Sequence, residues 1–473
     1  MSFKFNFPVD DADRSSVDND IFNSPDPENN SGANTNKNSQ DNLFNAFSNS
    51  TNDQSASQLY QAPFSEVALE IPKVSAFEVD KICYGGNQNE FQKIIYKRQL
   101  ADVQFQLAEE DTMNEISNQD EQQQGGGDED VGVKKALMTE GKGASDLIAG
   151  VYEGGLKTWE CSLDLLDYLT QRYPQLTSPS NSGNKQIQVL EIGCGSGLPT
   201  LHILKQSYEN SNSSNGTKSN SGGRIHFQDY NRDVLRLVTI PNVLLNTVLT
   251  KSFENTTTST NDDGENILSV DLDEIRGKLL VDNGIISQEE MEAKIREESD
   301  PEDDDDDDND EDSEDDDSVE GINNKMTFLE LSDQDTVTAD SILTKSLTDT
   351  TNLDIRFFGG DWENVSHELQ QRGYVYDLVL TSETIYNVES FSKLYNLIRT
   401  TLKRNSDSSS VVDKPVALVA AKTMYFGLTG STLSFKNWIV ENHGNEMDIE
   451  TVWKSSGSMG REILQLSWNT SNN

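Results

Sequence analysis

Apolar residues in the second half of the chain follow two alternating patterns: short uninterrupted runs and longer stretches with helical spacing. The short runs are rich in branched residues and predict buried strands at residues 186–192, 224–227, 354–358, 376–380 and 416–421. Amphipathic spacing predicts helices at residues 162–173, 198–204, 234–249, 391–402 and 434–441. Strands and helices in this order predict an open, mostly parallel sheet with helices on both faces.

The last two apolar segments are different, because polar and apolar residues alternate within them. They comprise residues 449–454 and 461–468, and the serine- and glycine-rich turn 455–460 separates them. This pattern predicts an antiparallel hairpin that closes the sheet. The fold class is therefore α/β and Rossmann-like, with a C-terminal antiparallel hairpin. A further strand is expected in the second half of residues 90–107, where alternation is also visible.

Polar segments divide the chain. Residues 1–57 predict a disordered tail, and residues 58–145 an N-terminal extension that contains a glutamine- and glycine-rich linker. One folded core domain is expected at residues 146–473, interrupted at about residues 252–352 by a long disordered insertion that contains an acidic block. Within this insertion, the sequence of residues 266–295 is compatible with a local helix.

The charge of the chain is strongly negative, −45 at pH 7, and residues 297–320 contribute a run of Asp and Glu without Lys or Arg. Such a run repels itself and predicts a solvated spacer, or alternatively an attractor for a basic protein. A nucleic-acid backbone requires a basic surface, so direct binding to nucleic acid is not expected. The expected partner is a basic protein, and the chain itself is expected to be a monomer.

The chain contains three cysteines without a CxxC motif, and its four histidines have no metal-ligand spacing. These features predict neither disulfides nor a metal site. The N-terminus lacks the pattern of a signal peptide, and no apolar stretch approaches 18 residues. A location in the cytoplasm and nucleus is therefore expected.

The most informative segment is residues 189–198, VLEIGCGSGL, in which an apolar strand leads into a glycine cluster and then a helix. Glycines at Gly193 and Gly195 allow a sharp turn and a close approach of a ligand to the backbone. Glu191 directly precedes the cluster. The spacing G-x-G-x-G differs from the G-x-G-x-x-G of dinucleotide-binding sites, and it is typical of motif I of class I methyltransferases.

Polar residues also follow the other predicted strands. Asp229 is placed to accept hydrogen bonds from two ribose hydroxyls, with Tyr230 and Asn231 beside it. Asp361 and Trp362, in the sequence GGDW, are candidates for binding an adenine ring. The segment 380–386, LTSETIY, is the best candidate for holding a methyl acceptor.

Together these segments resemble a known family. The sequence DLIAGVYEGGLKTWECS at residues 146–162, with VLEIGCGSGL, QDYN, GGDW and LTSETIYN, closely resembles the protein-histidine methyltransferases that modify a large-subunit ribosomal protein. GGLKTWECS and SETIYN are the discriminating pieces. The resemblance covers most of the core from residue 146 onward, and this chain departs from the pattern in its long acidic insertion, which bears on how a partner docks.

The resemblance implies a seven-stranded class I methyltransferase fold, S-adenosylmethionine as cofactor, and methylation of the tele nitrogen of a histidine, with a link to ribosome biogenesis and translation. The cofactor contacts that it implies are Thr158, Trp159, Glu160, Cys161, Ser162, Glu191, Gly193, Gly195, Asp229, Tyr230, Asn231, Gly360, Asp361, Trp362 and Ser382.

Methyl transfer from a sulfonium is an in-line displacement, so the enzyme mainly supplies proximity and alignment. A neutral histidine is already nucleophilic and chiefly needs the correct tautomer. The expected catalytic residues are Glu383, Tyr386 and Asn387. Glu383, a backbone carbonyl or Asn387 is the candidate acceptor for the N–H of the non-reacting nitrogen.

Three other functions remain open at this stage. A protein-lysine methyltransferase shares the fold and the acid-x-x-Tyr motif, but a lysine must lose a proton from a pKa near about 10.4. A non-catalytic chaperone for a basic ribosomal protein would use the acidic insertion. A small-molecule methyltransferase is disfavoured because the sequence has no large apolar lid segment.

Overall fold

The computed structural model describes residues 62–85, 93–104, 106, 155–177, 188–213, 223–250, 259–260, 266–298, 326–405, 412–456 and 460–469. All of them belong to the compact unit Leu59–Asn473. The predicted disordered tail, the glutamine-rich linker, most of the acidic block and residues 146–154 lie outside the described residues. Among the described helices, none is long and apolar enough to cross a membrane.

The central sheet has eight strands and carries the candidate site. Its strands are β1 (Ser65–Val67), β4 (Gln188–Ile192), β5 (Gly223–Asp229), β10 (Leu353–Gly359), β11 (Leu378–Ser382), β12 (Val416–Lys422), β13 (Met447–Lys454) and β14 (Arg461–Trp468). Their spatial order is β1-β10-β5-β4-β11-β12-β14-β13. The strands β10, β5, β4, β11 and β12 are parallel.

The hairpin of β13 and β14 lies at one edge of this sheet, with β14 antiparallel to both β12 and β13. The seven strands from β10 to β13 therefore have the arrangement of a class I methyltransferase sheet, which confirms the predicted fold class. The eighth strand, β1, pairs antiparallel with β10 at the other edge and was not predicted.

Helices cover both faces of the sheet because side chains on each strand alternate between the two faces. They are α1 (Glu160–Arg172), α2 (Leu198–Ser213), α3 (Leu272–Asp282), α4 (Gln288–Glu292), α5 (Asp333–Thr351), α6 (Trp362–Gln371), α7 (Phe391–Thr401) and α8 (Thr432–His443). On β4, Val189 belongs to the core that contains α1 and α2, whereas Leu190 belongs to the core that contains α6 and α7. Helices on both faces are thus confirmed.

The helix predicted at residues 234–249 is interrupted by a π-helical turn. It consists of α-helical Arg232–Val234, π-helical Leu235–Thr239 and α-helical Ile240–Leu245. Pro241 has no N–H to donate to the carbonyl of Leu237 four residues earlier. That carbonyl instead accepts a hydrogen bond of 3.2 Å from Arg98 Nη1. The irregular turn lies directly against the glycine cluster, where π-helical turns frequently mark functional sites.

Part of the insertion predicted at residues 252–352 is folded, so the prediction of disorder is wrong for residues 266–298 and 326–351. The remaining strands form two small sheets, one of β3 (Lys93–Arg98), β2 (Ala76–Tyr84), β7 (Asn266–Asp271) and β6 (Ser259–Thr260), and one of β8 (Ile295–Glu298) and β9 (Met326–Leu329). Strand β7 pairs with β2, and α3 buries Leu272 and Leu280. The insertion is polar overall, so its few buried apolar residues, such as Leu272 and Leu280, did not produce a recognisable pattern in the sequence.

A buried arginine fastens the folded part of the insertion to the N-terminal segment. Arg276 on α3 is only 2% exposed, and it forms ion pairs of 2.9 Å with Asp273 and Asp340. Its guanidinium also donates to the carbonyl oxygens of Pro72 and Val74. Removing one partner of such a buried network leaves an uncompensated charge, which makes it a strong local constraint.

The strand expected in the second half of residues 90–107 is also misplaced. The strand β3 ends at Arg98, and residues 100–104 are helical. Arg98 forms an ion pair of 2.5 Å with Asp102, four residues later, as helical geometry allows. Val103 is buried beside Leu156 and Val234. Tertiary packing, rather than the local alternation, decides this segment.

Candidate active site

A pocket opens at the carboxyl ends of the parallel strands β4, β5, β10 and β11, where ligands bind in open α/β sheets. Five segments of the chain line it. They contribute Gly155, Lys157, Thr158, Trp159 and Ser162; Gly193, Cys194, Gly195 and Ser196; Asp229 and Tyr230; Trp362; and Ser382, Glu383, Thr384 and Tyr386. The pocket thus brings together eleven of the eighteen predicted site residues, whereas seven lie beside it.

Glycine is required at two positions of the cluster after β4. Gly193 has φ of +59°, and a Cβ atom there would lie 2.7 Å from Thr384 Cγ2. Gly195 has φ of +51°, and its Cβ would lie 3.1 Å from the carbonyl oxygen of Gly155. Side chains at these positions would be strained and would displace the walls of the pocket. The cluster therefore leaves its backbone open to a ligand.

The turn containing Gly195 is held by the helix with the π-helical turn. Thr239 Oγ1 donates to the carbonyl oxygen of Gly195 at 2.6 Å. Asn242 Nδ2 donates to the carbonyl oxygen of Ser196 at 3.0 Å. Both donors are completely buried. These bonds fix the carbonyls of the turn away from the pocket, so that the ligand meets glycine backbone.

Asp229 ends β5 and is only 4% exposed. Its Oδ2 accepts a hydrogen bond from the Gly195 N–H at 2.9 Å, and its Oδ1 accepts one from the Asn231 N–H at 3.0 Å. Burial raises the pKa of Asp229 to about 6, and the hydrogen bonds from Asn231 and Gly195 oppose this rise. The carboxylate is thus ionised near neutral pH, with further lone pairs available to a ligand. Asn231 itself does not line the pocket.

Glu191 does not line the pocket either, contrary to the expectation of a direct contact. It is 1% exposed, and its Oε2 accepts a hydrogen bond of 3.1 Å from the N–H of Thr200 near the start of α2. Its side chain stabilises the helix that follows the glycines. Burial raises the pKa of Glu191 to about 7, with smaller opposing effects from the hydrogen bonds of Thr200.

Gln228 is a buried residue that the sequence analysis missed. Its Oε1 accepts hydrogen bonds from the Gly193 N–H at 3.2 Å and from the Trp362 indole N–H at 3.0 Å. Its Nε2 donates to the carbonyl oxygen of Gly360 at 3.0 Å. One side chain therefore connects the ends of three strands. Its neighbour Asp229 attracted the prediction because a charged residue is the more obvious ligand.

Of the GGDW segment, only Trp362 lines the pocket. Asp361 is the N-cap of α6: it accepts a hydrogen bond of 2.9 Å from the Glu363 N–H and forms an ion pair of 2.7 Å with Lys393. Gly360 contributes its carbonyl to Gln228. The predicted adenine contact of Asp361 therefore has no support in the structure, because both carboxylate oxygens serve structural roles.

The segment before α1 closes one side of the pocket. Thr158 Oγ1 donates to Ser196 Oγ at 3.1 Å, and the ring of Trp159 lies near two ammonium groups, Lys157 at 5.5 Å and Lys422 at 5.2 Å. Ser162 lines the pocket, and its buried Oγ has no hydrogen-bond partner among the described residues. This segment therefore offers an unsatisfied hydroxyl to a ligand.

Two further residues of this segment lie outside the pocket lining. Glu160 forms an ion pair of 3.2 Å with Lys422, and Cys161 is buried. Burial and, secondarily, the charge of Glu383 raise the pKa of the Cys161 thiol. Glu160 and Cys161 therefore differ from Thr158, Trp159 and Ser162, which line the pocket. The cofactor contacts of all five stay predictions.

Glu383 follows β11 and has a backbone φ of +58°, which is unusual for a residue other than glycine. Its carboxylate is 7% exposed. Oε2 accepts a hydrogen bond of 2.7 Å from the hydroxyl of Tyr425. Oε1 is buried and has no hydrogen-bond partner among the described residues, and Lys422 Nζ lies 3.9 Å from it. Strained conformations of this kind are often found at functional sites.

The other two predicted catalytic residues, Tyr386 and Asn387, differ in whether they line the pocket. Tyr386 lines the pocket, and its ring lies 6.5 Å from that of Tyr425 in an edge-to-face arrangement. Asn387 does not line it. Its Oδ1 accepts hydrogen bonds from the Glu389 N–H at 3.1 Å and the Thr429 hydroxyl at 3.2 Å. Asn387 therefore caps the following turn instead of lining the pocket, and its catalytic role stays a prediction.

Metal chemistry has no evident ligands in the described part of the chain, where no group of three His, Cys, Asp or Glu side chains is arranged to hold an ion. What the described pocket offers on one side is glycine backbone without side chains, a buried carboxylate, an indole and an unsatisfied serine hydroxyl. A second carboxylate, Glu383, lies on the other side.

The sheet order and the pocket at the strand ends define the chain as a protein with a class I methyltransferase fold. Relatives with related sequences include histidine protein methyltransferase 1 of Schizosaccharomyces pombe, 28% identical over 78% of this chain and 75% of that protein. The Dictyostelium discoideum homolog of that protein is 26% identical over 68% of this chain and 60% of the homolog. The chain is therefore similar in sequence to histidine protein methyltransferases, the family that its motifs resemble.

Two further similarities to known proteins are weaker. A protein-lysine N-methyltransferase of Saccharomyces cerevisiae is 34% identical over only 14% of this chain and 20% of that protein. A magnesium protoporphyrin IX methyltransferase of Synechocystis with bound SAH aligns with a TM-score of 0.27 and 7% identity, over 76% of this chain and 95% of that one, which is too remote to carry an argument. No family model matches the chain.

Proposed function

We propose that the protein is an S-adenosylmethionine-dependent protein-histidine N-methyltransferase that modifies the tele nitrogen of a histidine in a basic, large-subunit ribosomal protein. One observation carries the proposal: a single pocket joins a glycine-lined, carboxylate-bearing side to a second buried carboxylate, Glu383. The relatives' names as histidine protein methyltransferases support the class of reaction. A role in ribosome biogenesis and translation follows from such a substrate.

The residues on the glycine side fit this cofactor. The open backbone at Gly193 and Gly195 would accommodate its amino-acid part, and the remaining lone pairs of Asp229 would accept hydrogen bonds from the ribose hydroxyls. Trp362 and Tyr230 would cover the adenosine. The orphaned hydroxyl of Ser162 supplies a further polar contact. When bound, the cofactor supplies an activated methyl group.

The acceptor side suits a histidine because it offers one free hydrogen-bond acceptor next to the transfer site. Glu383 Oε1 is buried and accepts no hydrogen bond from the described residues, although Lys422 lies 3.9 Å away, so it would accept the N–H of the non-reacting imidazole nitrogen and hold the ring in the reactive tautomer. Tyr425 fixes the other oxygen. The chain's own contribution is thus orientation and exclusion of water, rather than removal of a proton before attack.

A lysine acceptor is the second candidate, favoured by the acid-x-x-Tyr arrangement of Glu383 and Tyr386 in the pocket. A lysine must become neutral before it attacks, and a buried carboxylate beside it favours the charged ammonium instead. The family relationship also favours histidine. The identity of the labelled residue separates the two candidates.

The test is a transfer assay with purified protein, isotopically labelled S-adenosylmethionine and an unmethylated large-subunit ribosomal-protein fraction. Mass spectrometry locates the label. A label on histidine, absent with Asp229→Ala, supports the proposal and identifies the substrate. A label on lysine transfers the function to the second candidate. Measurable cofactor binding without any label would contradict catalysis on this substrate class and favour a binding role.

A further inference from the structure

A loop beside the pocket exposes apolar side chains that nothing in the described structure covers. This β12–α8 loop, residues 423–431, includes Met424, Phe426 and Leu428, which are 60%, 80% and 44% exposed. Leu433, in the first turn of α8, is 65% exposed. Isolated exposed apolar residues are common, but several within ten residues of one another are characteristic of a binding surface.

The loop is firmly attached at both ends, so its apolar side chains are held outward. The Thr423 N–H donates to the carbonyl oxygen of Gly460 at 2.8 Å. The Gly430 N–H donates to the carbonyl oxygen of Tyr386 at 2.8 Å, and a Cβ atom at Gly430 would lie only 2.1 Å from the carbonyl oxygen of Ile385. Close backbone packing therefore ties the loop to the segment that follows β11.

The same loop reaches the acceptor side of the pocket. Tyr425, between the exposed Met424 and Phe426, points inward and donates its hydroxyl hydrogen to Glu383. Its ring also contacts Tyr386, which lines the pocket. Through Tyr425, the loop is therefore attached to two residues that line the acceptor side of the pocket. The exposed Met424 and Phe426 flank this attachment on either side in the sequence.

The absence of charged residues in the loop indicates what kind of molecule binds there. No charged residue occurs between Lys422 and Lys436, although the whole chain carries a net charge of −45. The loop is thus a neutral, apolar area on an acidic protein. The negative charge of the whole protein attracts basic partners over longer distances. Contact at the loop itself must come from apolar surface rather than from ion pairs.

We propose that the β12–α8 loop docks the substrate segment that carries the acceptor histidine, with Phe426 and Met424 contacting apolar side chains next to that histidine. This inference rests on the proposed function and names the recognition surface for its protein substrate. It assigns long-range attraction to the acidic chain and local recognition to the loop. The histidine enters the pocket from this side.

The test compares Met424→Ser/Phe426→Ser with Val337→Ser, which removes an apolar side chain of similar exposure (63%) from α5. Histidine methylation is measured while the concentration of the unmethylated ribosomal-protein fraction is varied. The double variant should raise KM about 10-fold, as expected when a small apolar anchor is lost. Its affinity for S-adenosylmethionine and its midpoint of thermal unfolding should equal those of Val337→Ser.

A conservative variant distinguishes the loss of apolar contact from misfolding of the loop. Phe426→Leu keeps apolar surface and should retain a KM within about 2-fold of the wild type. If the wild type methylates histidine and the double variant has an unchanged KM, the docking inference is wrong although the proposed function stands. If the wild type labels no histidine, both are wrong. Sedimentation gives the oligomeric state of both proteins. If the wild type self-associates and the double variant is monomeric with an unchanged KM, the loop binds a second copy of this chain instead of the substrate.

Discussion

Gln228 and Trp362 are joined by a hydrogen bond of 3.0 Å from the indole N–H to Gln228 Oε1, and the same oxygen accepts the Gly193 N–H. A buried amide therefore links the glycine cluster to the aromatic wall of the pocket. Gln228 is completely buried, so its polar atoms have no access to solvent. Replacing it leaves several buried groups without partners.

The first prediction concerns this link. Gln228→Leu should lower the free energy of unfolding by about 3 kcal/mol, because the N–H groups of Gly193 and Trp362 and the carbonyl of Gly360 each lose a partner. The affinity for S-adenosylmethionine should fall about 10-fold or more. Calorimetric titration and chemical unfolding measure the two effects.

The matched control is Gln371→Leu, which changes an exposed glutamine at the end of α6. It should leave both quantities within experimental error of the wild type. Equal cofactor affinity in Gln228→Leu and in the control would show that the orientation of Trp362 does not depend on the amide.

The second prediction separates backbone strain from ligand access at the glycine cluster. Gly193→Ala and Gly284→Ala both place alanine at a positive φ, +59° and +67°, but only the first brings a Cβ atom against the pocket wall. Each variant should lose about 1 kcal/mol of stability from the strained backbone. Only Gly193→Ala should lose cofactor affinity, by about 10-fold or more in calorimetric titration. Equal losses in both variants would contradict a direct role for the Gly193 backbone.

The centre of the sheet was predictable because strands such as β12 are buried on both faces and form a nearly continuous apolar run, here residues 416–421. The glycine cluster and Asp229 were predictable because their chemistry follows a strand end. Gln228, Tyr425 and Lys422 were not, since a single amide, phenol or ammonium has no pattern in one sequence. Their partners are distant along the chain: Trp362 lies 134 residues from Gln228, and Glu160 lies even farther from Lys422.

Asn387, Asp361 and Glu191 illustrate the opposite error. Each lies within a motif that borders the pocket, but each side chain points to a helix or turn and satisfies backbone N–H groups there. Sequence spacing places a residue near a strand end without fixing which way its side chain points. The folded part of the insertion escaped prediction for a related reason, because its buried residues are few and far apart.

The third prediction uses the raised pKa of Glu191. In the folded protein this carboxyl has a pKa of about 7, whereas its ordinary value is 4.5. Between these values the folded state binds a proton that the unfolded state does not, so this group's contribution to stability falls as the pH rises from 4.5 to above 7. Glu191→Gln removes that contribution.

Relative to the wild type, the free energy of unfolding of Glu191→Gln should therefore rise on the order of 3 kcal/mol between pH 4.5 and pH 8. Comparing the variant with the wild type at each pH cancels the titration of other groups to first order. Urea unfolding at several pH values measures the difference. A constant difference across this range would mean that Glu191 titrates normally in the folded protein.

The fourth prediction tests how Glu383 is held. Tyr425→Phe removes the only hydroxyl that the described structure gives to Glu383 Oε2, so the carboxylate loses its fixed orientation. The kcat for histidine methylation should fall about 10-fold, while the affinity for S-adenosylmethionine stays unchanged. Glu383→Gln should lower kcat as well, again without a change in cofactor affinity.

Tyr395→Phe is the control for the tyrosine. Tyr395 is also buried, but its hydroxyl contacts Glu446 at 3.5 Å, away from the pocket. This variant should retain the kcat of the wild type. An unchanged kcat in both Tyr425→Phe and Glu383→Gln would remove this pair of residues from the mechanism.

The last prediction separates the acidic block from catalysis. Strands β8 and β9 pair antiparallel, with Glu298 opposite Met326, so residues 299–325 connect two positions that are already adjacent. A short glycine-containing turn can therefore replace them without altering the hairpin. The replacement variant should keep its cofactor affinity and its kcat.

Its KM for the basic ribosomal-protein fraction should rise several-fold at low ionic strength, and the difference from the wild type should disappear near 0.5 M salt, where exposed charges are screened. The matched control replaces the same residues with an uncharged serine- and glycine-rich segment of equal length. If that control behaves like the wild type, the length of the segment matters and its charge does not. If it behaves like the short turn, the charge of the block is what draws the substrate towards the pocket.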